Sequence, residues 1–398
     1  MKKKYLSLAL LLVLAASIFC FSPAIPTVRA HNPTWWDYDW HQRLELTINH
    51  TLIDDDLIDF PVLVYVGNDT LDWGDVQNNL DDIRFTGDIL DELSFEIDFL
   101  TLNYEAWFWV RLPEVSSSLD TYFFMYFDNK FCTSGENAEA VWDEYTVMVQ
   151  HMNDETTSTI LDSTSNDNDG VKKDVNEPIE TDGQIGKAQQ YDANDYIDVA
   201  DNPTLDTLTS FTFTCWVKLS EFTGVARYVL DSGYWADTGI VIYNPATNNR
   251  IYFGVKNNIA EAASADYITL TPDTLTQIGL IYDGSNLKSI INGVVGGGTA
   301  LTGTVDTTTS FTLGARTTHT QSLNGLQDEV QFSKDVARSD AWVGASYYSG
   351  TLELVIVGYH YHPPDTALRG EFIAAALVAS LILVPLLILF IFAARRKR

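Results

Sequence analysis

Apolar residues recur at every second position in short runs along most of this chain. Between residues 35 and 132 the runs fall at 43–48, 60–66, 93–99, 106–112 and 122–127, each bounded by turn-forming residues. Alternation at period two puts one face of a segment against a core and the other in water, which is the signature of a strand. No helical period of comparable strength competes with it. A second series occupies 141–348, with runs at 196–199, 211–219, 227–230, 239–243, 250–255, 277–282, 287–291, 311–313 and 326–332. Asn292-Gly293 has the composition of a two-residue hairpin tip. The pattern predicts an all-β protein with two β-sandwich domains, 35–132 and 141–348.

Two runs at the ends break the period. Lys2-Lys3-Lys4 precedes a nearly uncharged apolar stretch at 5–21, and Val28-Arg29-Ala30 follows with small residues flanking a cut site. That is the form of a secretory signal peptide over 1–30, with His31 as the first mature residue. Residues 372–394 carry no charge. At ~1.5 Å per residue they are long enough to cross a ~30 Å hydrocarbon core, so a single transmembrane helix is expected. Arg395-Arg396-Lys397-Arg398 marks a cytoplasmic basic tail and puts the rest of the chain outside the cell membrane. Residues 359–371, with Pro363-Pro364, are expected to form a juxtamembrane stalk.

The charge balance narrows the partners. The formal net charge is −30, from 54 acidic and 24 basic residues. Eight of the basic residues lie in the targeting segments, so 16 remain between them against all 54 acids, a net of about −38. Such a field repels phosphate backbones and excludes nucleic acid as a partner. It suits a high-salt habitat, a surface that binds Ca²⁺, or solubility alone. Cys132 and Cys215 survive signal cleavage; an exterior location permits a disulfide between them without requiring one. The alternation at 211–217 turns Cys215 inward with the phenylalanines, as a small buried hydrophobe. Asn49-His-Thr51 and Asn68-Asp-Thr70 are sequons suited to N-glycosylation at Asn49 and Asn68, whereas proline blocks those at Asn32 and Asn202.

Several motifs of the second block follow one another in a specific order. They are the polar loop Asp162-Ser-Thr-Ser-Asn166-Asp-Asn168-Asp-Gly170, then Gly186-Lys187-Ala188, then Tyr196-Ile197-Asp198-Val199. The strand from Ser210-Phe211-Thr212 to Trp216-Val217 follows, then Tyr282-Asp283-Gly284 with Asn292-Gly293, and the closing Gly325…Asp328-Glu329-Val330. The block resembles a LamG-like, concanavalin A-like jelly roll. It departs from the family at Thr276-Gln277-Ile278, where a Trp-His-His is usual. The first block resembles an uncharacterised β-domain common beside such modules in archaeal and bacterial surface proteins. The marks it shares are Trp40, Arg43, Asp82-Ile83-Arg84-Phe85, Trp109-Val110 and Tyr126-Phe127-Asp128-Asn129. That family supplies no activity.

The jelly-roll resemblance implies a structural Ca²⁺ with Asp328 among its ligands and Asp162 or Asp195 as additions, because Ca²⁺ takes six to eight oxygens from loops and strands. It also implies a glycan or surface-protein ligand. Tyr234, Trp235 and Tyr243, near loops of the jelly roll, are the aromatic side chains suited to stack on a sugar. Glu96-Ile97-Asp98 is a fragment of the paired-acid motif of jelly-roll glycosidases, but the second glutamate is missing and Leu100 and Thr101 stand in its place. A half-exposed strand with outward acids is the simpler reading of that fragment. His151 is one of seven scattered histidines. The expectation is a membrane-anchored, non-enzymatic binding protein, with an envelope-assembly role as the alternative and a glycoside hydrolase disfavoured by the incomplete acid pair.

Overall fold

A computed structural model describes residues 34–154, 159–173, 177–192, 194–222, 224–263, 268–307 and 309–363. The expected signal peptide at 1–30 and the expected membrane helix and tail at 372–398 lie outside these residues. Among the described residues no helix is long and apolar enough to cross a membrane. The architecture below belongs to the unit that begins at Asp37.

The first sandwich closes a five-stranded sheet on a three-stranded one. The larger sheet runs Val355–Tyr361, Gln42–Ile48, Thr121–Phe127, Arg84–Gly87, Glu92–Leu93; the smaller has Glu105–Val115 between Leu57–Val66 and Phe95–Thr101. Alternate residues of both sheets, among them Leu46, Phe85, Phe123, Val62, Phe108 and Val110, share one apolar core. Full burial of side chains this size contributes ~1.5–3 kcal/mol each before the entropy of ordering is subtracted. The motif residues lock one corner of this sandwich. The Trp40 indole N–H donates to the Asp82 carbonyl at 2.6 Å, and the Asp82 carboxylate accepts the N–H groups of Gln77 and Asp128. Arg84 donates to the carbonyls of Asp81, Ile83 and Thr133 and sits 5.3 Å over the Trp40 ring.

The second sandwich is two nine-stranded sheets. The central strands of one are Gly325–Lys334, Phe211–Leu219 and Thr276–Tyr282, with Thr146–Gln150 also paired to Gly325–Lys334. The other carries Arg250–Lys256, Gly239–Asn244, Arg227–Asp231, Phe311–Leu313 and Ile197–Val199 in succession. Phe211, Phe213, Cys215, Ile240, Ile242, Phe253 and Phe332 meet between them in a single core.

Three expectations need correction. The first residues of the expected stalk, 359–361, belong to a strand. Residues Val355–Tyr361 form an edge strand on Gln42–Ile48, with Thr47 opposite Ile356. Their β-branched and aromatic side chains suit a strand, and Gln42–Ile48 would otherwise offer an open edge. Second, the sandwiches share a helix, Asp340–Gly350, that the alternation did not announce. Ser339 caps it by accepting the Trp342 N–H, and Asp340 favours its positive N-terminus. Ala341 and Ala345 enter the first core, while Val343 packs on Ile281 and Ile290 of the second sandwich. The Ser349 hydroxyl accepts the Leu63 N–H from the edge strand of the small sheet. The chain therefore builds the first sandwich, then the second, and returns to finish the first.

The third correction concerns the cysteines, which are both free. Cys215 lies inside the second core, as its alternation implied, and burial pushes its thiol up to about 12. Cys132 lies in a loop of the first sandwich, its sulfur against the carbonyls of Asp81 and Asn129.

Candidate functional site

Two places concentrate chemistry. The first is the seam between the sandwiches. In Phe95–Thr101, Phe95 and Ile97 point into the first core, so Glu96 and Asp98 point away from it. These acids are not solvated, as the half-exposed-strand reading had them: both are 6% exposed, because the second sandwich covers that face. The covering layer is apolar, with Leu63, Trp107 and Trp109 of the first sandwich against Val149 and Ile185 of the second. Burying the pair without partners would be prohibitive, and partners are supplied. Ser163 donates to Glu96 Oε1 at 2.5 Å and Trp142 Nε1 to Oε2 at 3.1 Å. Trp109 Nε1 donates to Asp98 Oδ2 and Asn153 Nδ2 to Oδ1, both at 3.1 Å.

His151, just beyond Thr146–Gln150, enters this cluster from the second sandwich. Its Nδ1 lies 2.8 Å from Glu329 Oε1 and 3.6 Å from Asp98 Oδ2; its Nε2 lies 3.3 Å from Glu96 Oε2. The ring is stacked beside Trp109, 6.1 Å between centroids at 19°. Asp328 completes the group: its Oδ2 accepts the N–H groups of Gln184 and Ile185, and it is fully buried. Both acid-bearing strands are bulged where the acids sit. The pairing of Phe95–Thr101 slips between Ile97 and Phe99. In Gly325–Lys334, Asp328 faces Trp216 and Gln331 faces Thr214, so Glu329 and Val330 share one place opposite Cys215. Glu329 takes a left-handed φ of 48°, and Met152 beside His151 one of 63°. Non-glycine residues hold such angles at a cost of about 1–2 kcal/mol, which the surrounding packing must offset.

Burial and charge set the protonation of the group. Burial alone would lower the His151 pKa, but Glu329, Asp98 and Glu96 together hold it well above the ordinary imidazole value. Burial would raise Glu96, yet the His151 charge and the bonds from Ser163 and Trp142 bring it below the usual range. Asp98 is pushed up to about 7, first by burial and then by Glu329 and Glu96, against the pull of His151. Burial and then Glu329 push Asp328 well up. A polar cleft of about 360 Å³ opens onto the cluster, lined by Glu96, Asp98, His151, Asn153, Asp154 and Ser163.

The second place is the outer face of the sheet that carries Arg227–Asp231, Gly239–Asn244 and Arg250–Lys256. Alternation sends Ile240, Ile242, Ile251 and Phe253 inward, which turns Tyr243 and Tyr252 outward. Tyr228 faces Tyr243 and Tyr243 faces Tyr252 across the strands, a ladder with centroid spacings of 4.9 and 5.0 Å. Trp235 stands on edge above it, 5.9 Å from Tyr243, and is 44% exposed. The Arg316 guanidinium lies 5.7 Å from the Trp235 ring and 5.8 Å from Tyr228. Tyr234 is buried beneath Trp235 and donates its hydroxyl to Glu261 Oε1 at 2.5 Å. On a neighbouring part of the sheet His319 stacks flat on Tyr196 at 3.9 Å and meets Asp198 at 2.8 Å.

The structure thus brings Tyr234, Trp235 and Tyr243 together, with Trp235 as the exposed member. Alternation would have added Tyr228 and Tyr252; nothing local marks Arg316. The aspartates expected for Ca²⁺ do not gather among the described residues. Asp162 commits both oxygens to its own loop and the strand beside it, accepting from Val149, Thr164 and Asn168. Asp195 accepts the Asp192 N–H, and burial pushes its pKa up to about 6. Only Asp328 reaches the seam. The donor group that does assemble is Asp98, His151 and Glu329, whose ligand atoms lie within 4.8 Å of one another. Asn68 is exposed on a turn, and Asn49 is half-buried, its Oδ1 accepting from Thr51.

Two nine-stranded antiparallel sheets closed on one core define the second sandwich as a concanavalin A-like jelly roll. Residues 191–344 match the family described as the concanavalin A-like lectin/glucanases superfamily, so this part of the chain is a LamG-like domain. No curated protein matches the chain. Among solved structures it is similar to domain 4 of an extracellular arabinanase from Geobacillus stearothermophilus in complex with arabinotriose. The two are 18% identical with a TM-score of 0.41, over 50% of this chain and 96% of that one. It is also similar to the binding domain of Paraclostridial Mosquitocidal Protein 1, at 14% identity and a TM-score of 0.42, over 52% of each chain. The binding domain of botulinum neurotoxin serotype G matches at 11% identity and a TM-score of 0.40, over 51% of this chain and 50% of that one. The match therefore spans about half the length of either toxin domain.

Proposed function

We propose that this protein is exported, anchored in the cell membrane by residues 372–394, and binds glycans or glycoproteins outside the cell through the aromatic face of its jelly roll. The observation that carries the reading is Trp235, 44% exposed, held on edge over Tyr243 with Arg316 beside it. An exposed aromatic ring offers an apolar surface to the C–H face of a sugar, and the Arg316 guanidinium beside it offers hydrogen bonds to hydroxyls. The basic and apolar segments at the two ends of the sequence support export and anchoring.

A glycan array probed with the detergent-solubilised full chain tests the binding. Retention by one class of glycan, competed by the free sugar, is expected. Binding only to unglycosylated envelope protein would replace this reading with the assembly role, and sugar release would replace it with hydrolysis. N-terminal sequencing of the membrane form is expected to begin at His31. Digestion of the β-domains by protease added to intact cells completes the topology, and their protection would overturn it.

A further inference from the structure

The seam buries four carboxylates against one basic side chain. Glu96, Asp98, Asp328 and Glu329 are buried together, and the basic side chain paired with them among the described residues is His151. Buried carboxylates are normally paired or bound to a metal. One buried atom of the group also lacks a hydrogen-bond partner, Asp328 Oδ1.

Geometry indicates what would complete it. Ligand atoms on a tetrahedral ion with bonds of ~2.0–2.1 Å stand roughly 3.3 Å apart. His151 Nδ1 lies 2.8 Å from Glu329 Oε1 and 3.6 Å from Asp98 Oδ2, which brackets that spacing. The ligands are held from behind, as metal ligands usually are: Asp98 by Asn153 on Oδ1, and Glu329 by Gln331 on Oε2 at 3.4 Å. The polar cleft beside His151 provides an entry path and room for a water.

We propose that Asp98, His151 and Glu329 bind a divalent transition-metal ion of the zinc or manganese class, clasping the two sandwiches together. Asp98 comes from the first sandwich, and His151 and Glu329 from the second, so the ion holds both. An imidazole among the ligands favours this class over Ca²⁺, which prefers an all-oxygen shell of six to eight donors.

The test uses the full chain in detergent, stripped with chelator and titrated separately with Zn²⁺, Mn²⁺ and Ca²⁺. One Zn²⁺ or Mn²⁺ per chain is expected by calorimetry and elemental analysis, with a rise in Tm. Asp98→Asn and Glu329→Gln are each expected to weaken binding at least tenfold and to abolish that rise. X-ray absorption of the loaded wild type, which does not depend on a variant folding, is expected to show one nitrogen and several oxygens at about 2.0–2.2 Å. An all-oxygen shell, uptake of Ca²⁺ alone, or Zn²⁺ and Mn²⁺ binding that is absent or indifferent to both substitutions would overturn the proposal.

Discussion

Arg338 grips Asp143 at two points, Nη1 to Oδ2 and Nη2 to Oδ1, each at 2.6 Å. The side chains are 7% and 10% exposed, and the guanidinium lies 4.0 Å over the Trp342 ring. Asp143 belongs to the link between the sandwiches, while Arg338 leads into the helix they share, so the pair closes the path the chain takes out and back. Removing one partner of a buried pair strands the other's charge. Asp143→Ala is expected to lower the unfolding free energy by about 3 kcal/mol in urea titration. Arg338→Lys also loses stability, because an ammonium cannot reproduce the planar fork. A loss below about 1 kcal/mol would mean the pair is no stronger than a surface bridge.

The same pair sets an acid limit. Burial would raise the Asp143 pKa, but the hydrogen bonds and charge of Arg338 prevail and hold it below 3.8. A depressed folded value means the native state binds its proton less readily than the unfolded chain. Its stability is therefore present above the ordinary Asp value and lost as pH falls through the depressed one. The difference in Tm between wild type and Asp143→Asn is expected to be flat from about pH 5 to 8 and to narrow below about pH 4. A gap that narrows on the alkaline side instead would assign the effect to another group.

The first sandwich should not fold from its expected boundaries. Its large sheet takes an edge strand from Val355–Tyr361, and its core takes Ala341, Ala345 and Leu354. A chain of residues 35–132 lacks all of these and leaves Gln42–Ile48 as an open edge. Circular dichroism is expected to show no cooperative transition for that piece, whereas residues 34–363 unfold as a unit. A sharp transition from 35–132 alone would make the returning segment an accessory.

The dependence on distant residues also explains what the sequence did and did not reveal. Period-two runs located the strands because burial on one face is a local pattern: the run at 326–332 falls within Gly325–Lys334, and the inward position of Cys215 followed from its neighbours. The helix was hidden because Ala341, Val343 and Ala345 alternate like a strand. Pro363-Pro364 made the adjoining residues look like a stalk, although Val355–Tyr361 has strand composition. The aromatic face was half legible, since alternation marks Tyr243 but not the loop residue Arg316. The seam was legible only in fragments. Glu96 and Asp98 have the spacing that turns two acids to one side, but His151 and Glu329 reach them only because the two sandwiches pack together.

Trp235 offers the cleanest separation of binding from folding. It is 44% exposed but also covers Tyr234 and Tyr243, so Trp235→Ala is expected to cost only about 1 kcal/mol of stability. If the ring is the sugar platform, truncation removes a central aromatic contact of the kind worth about 2 kcal/mol, a roughly thirtyfold loss of affinity in calorimetry with the array-selected glycan. Tyr234→Phe makes the opposite trade. It removes a buried hydroxyl that bonds Glu261 and lies 3.0 Å from the Tyr252 hydroxyl, so it is expected to lose about 1 kcal/mol of stability while keeping the Trp235 ring and the affinity. If Trp235→Ala binds normally while Tyr234→Phe does not, the exposed ring is packing material and the ligand contacts the sheet elsewhere.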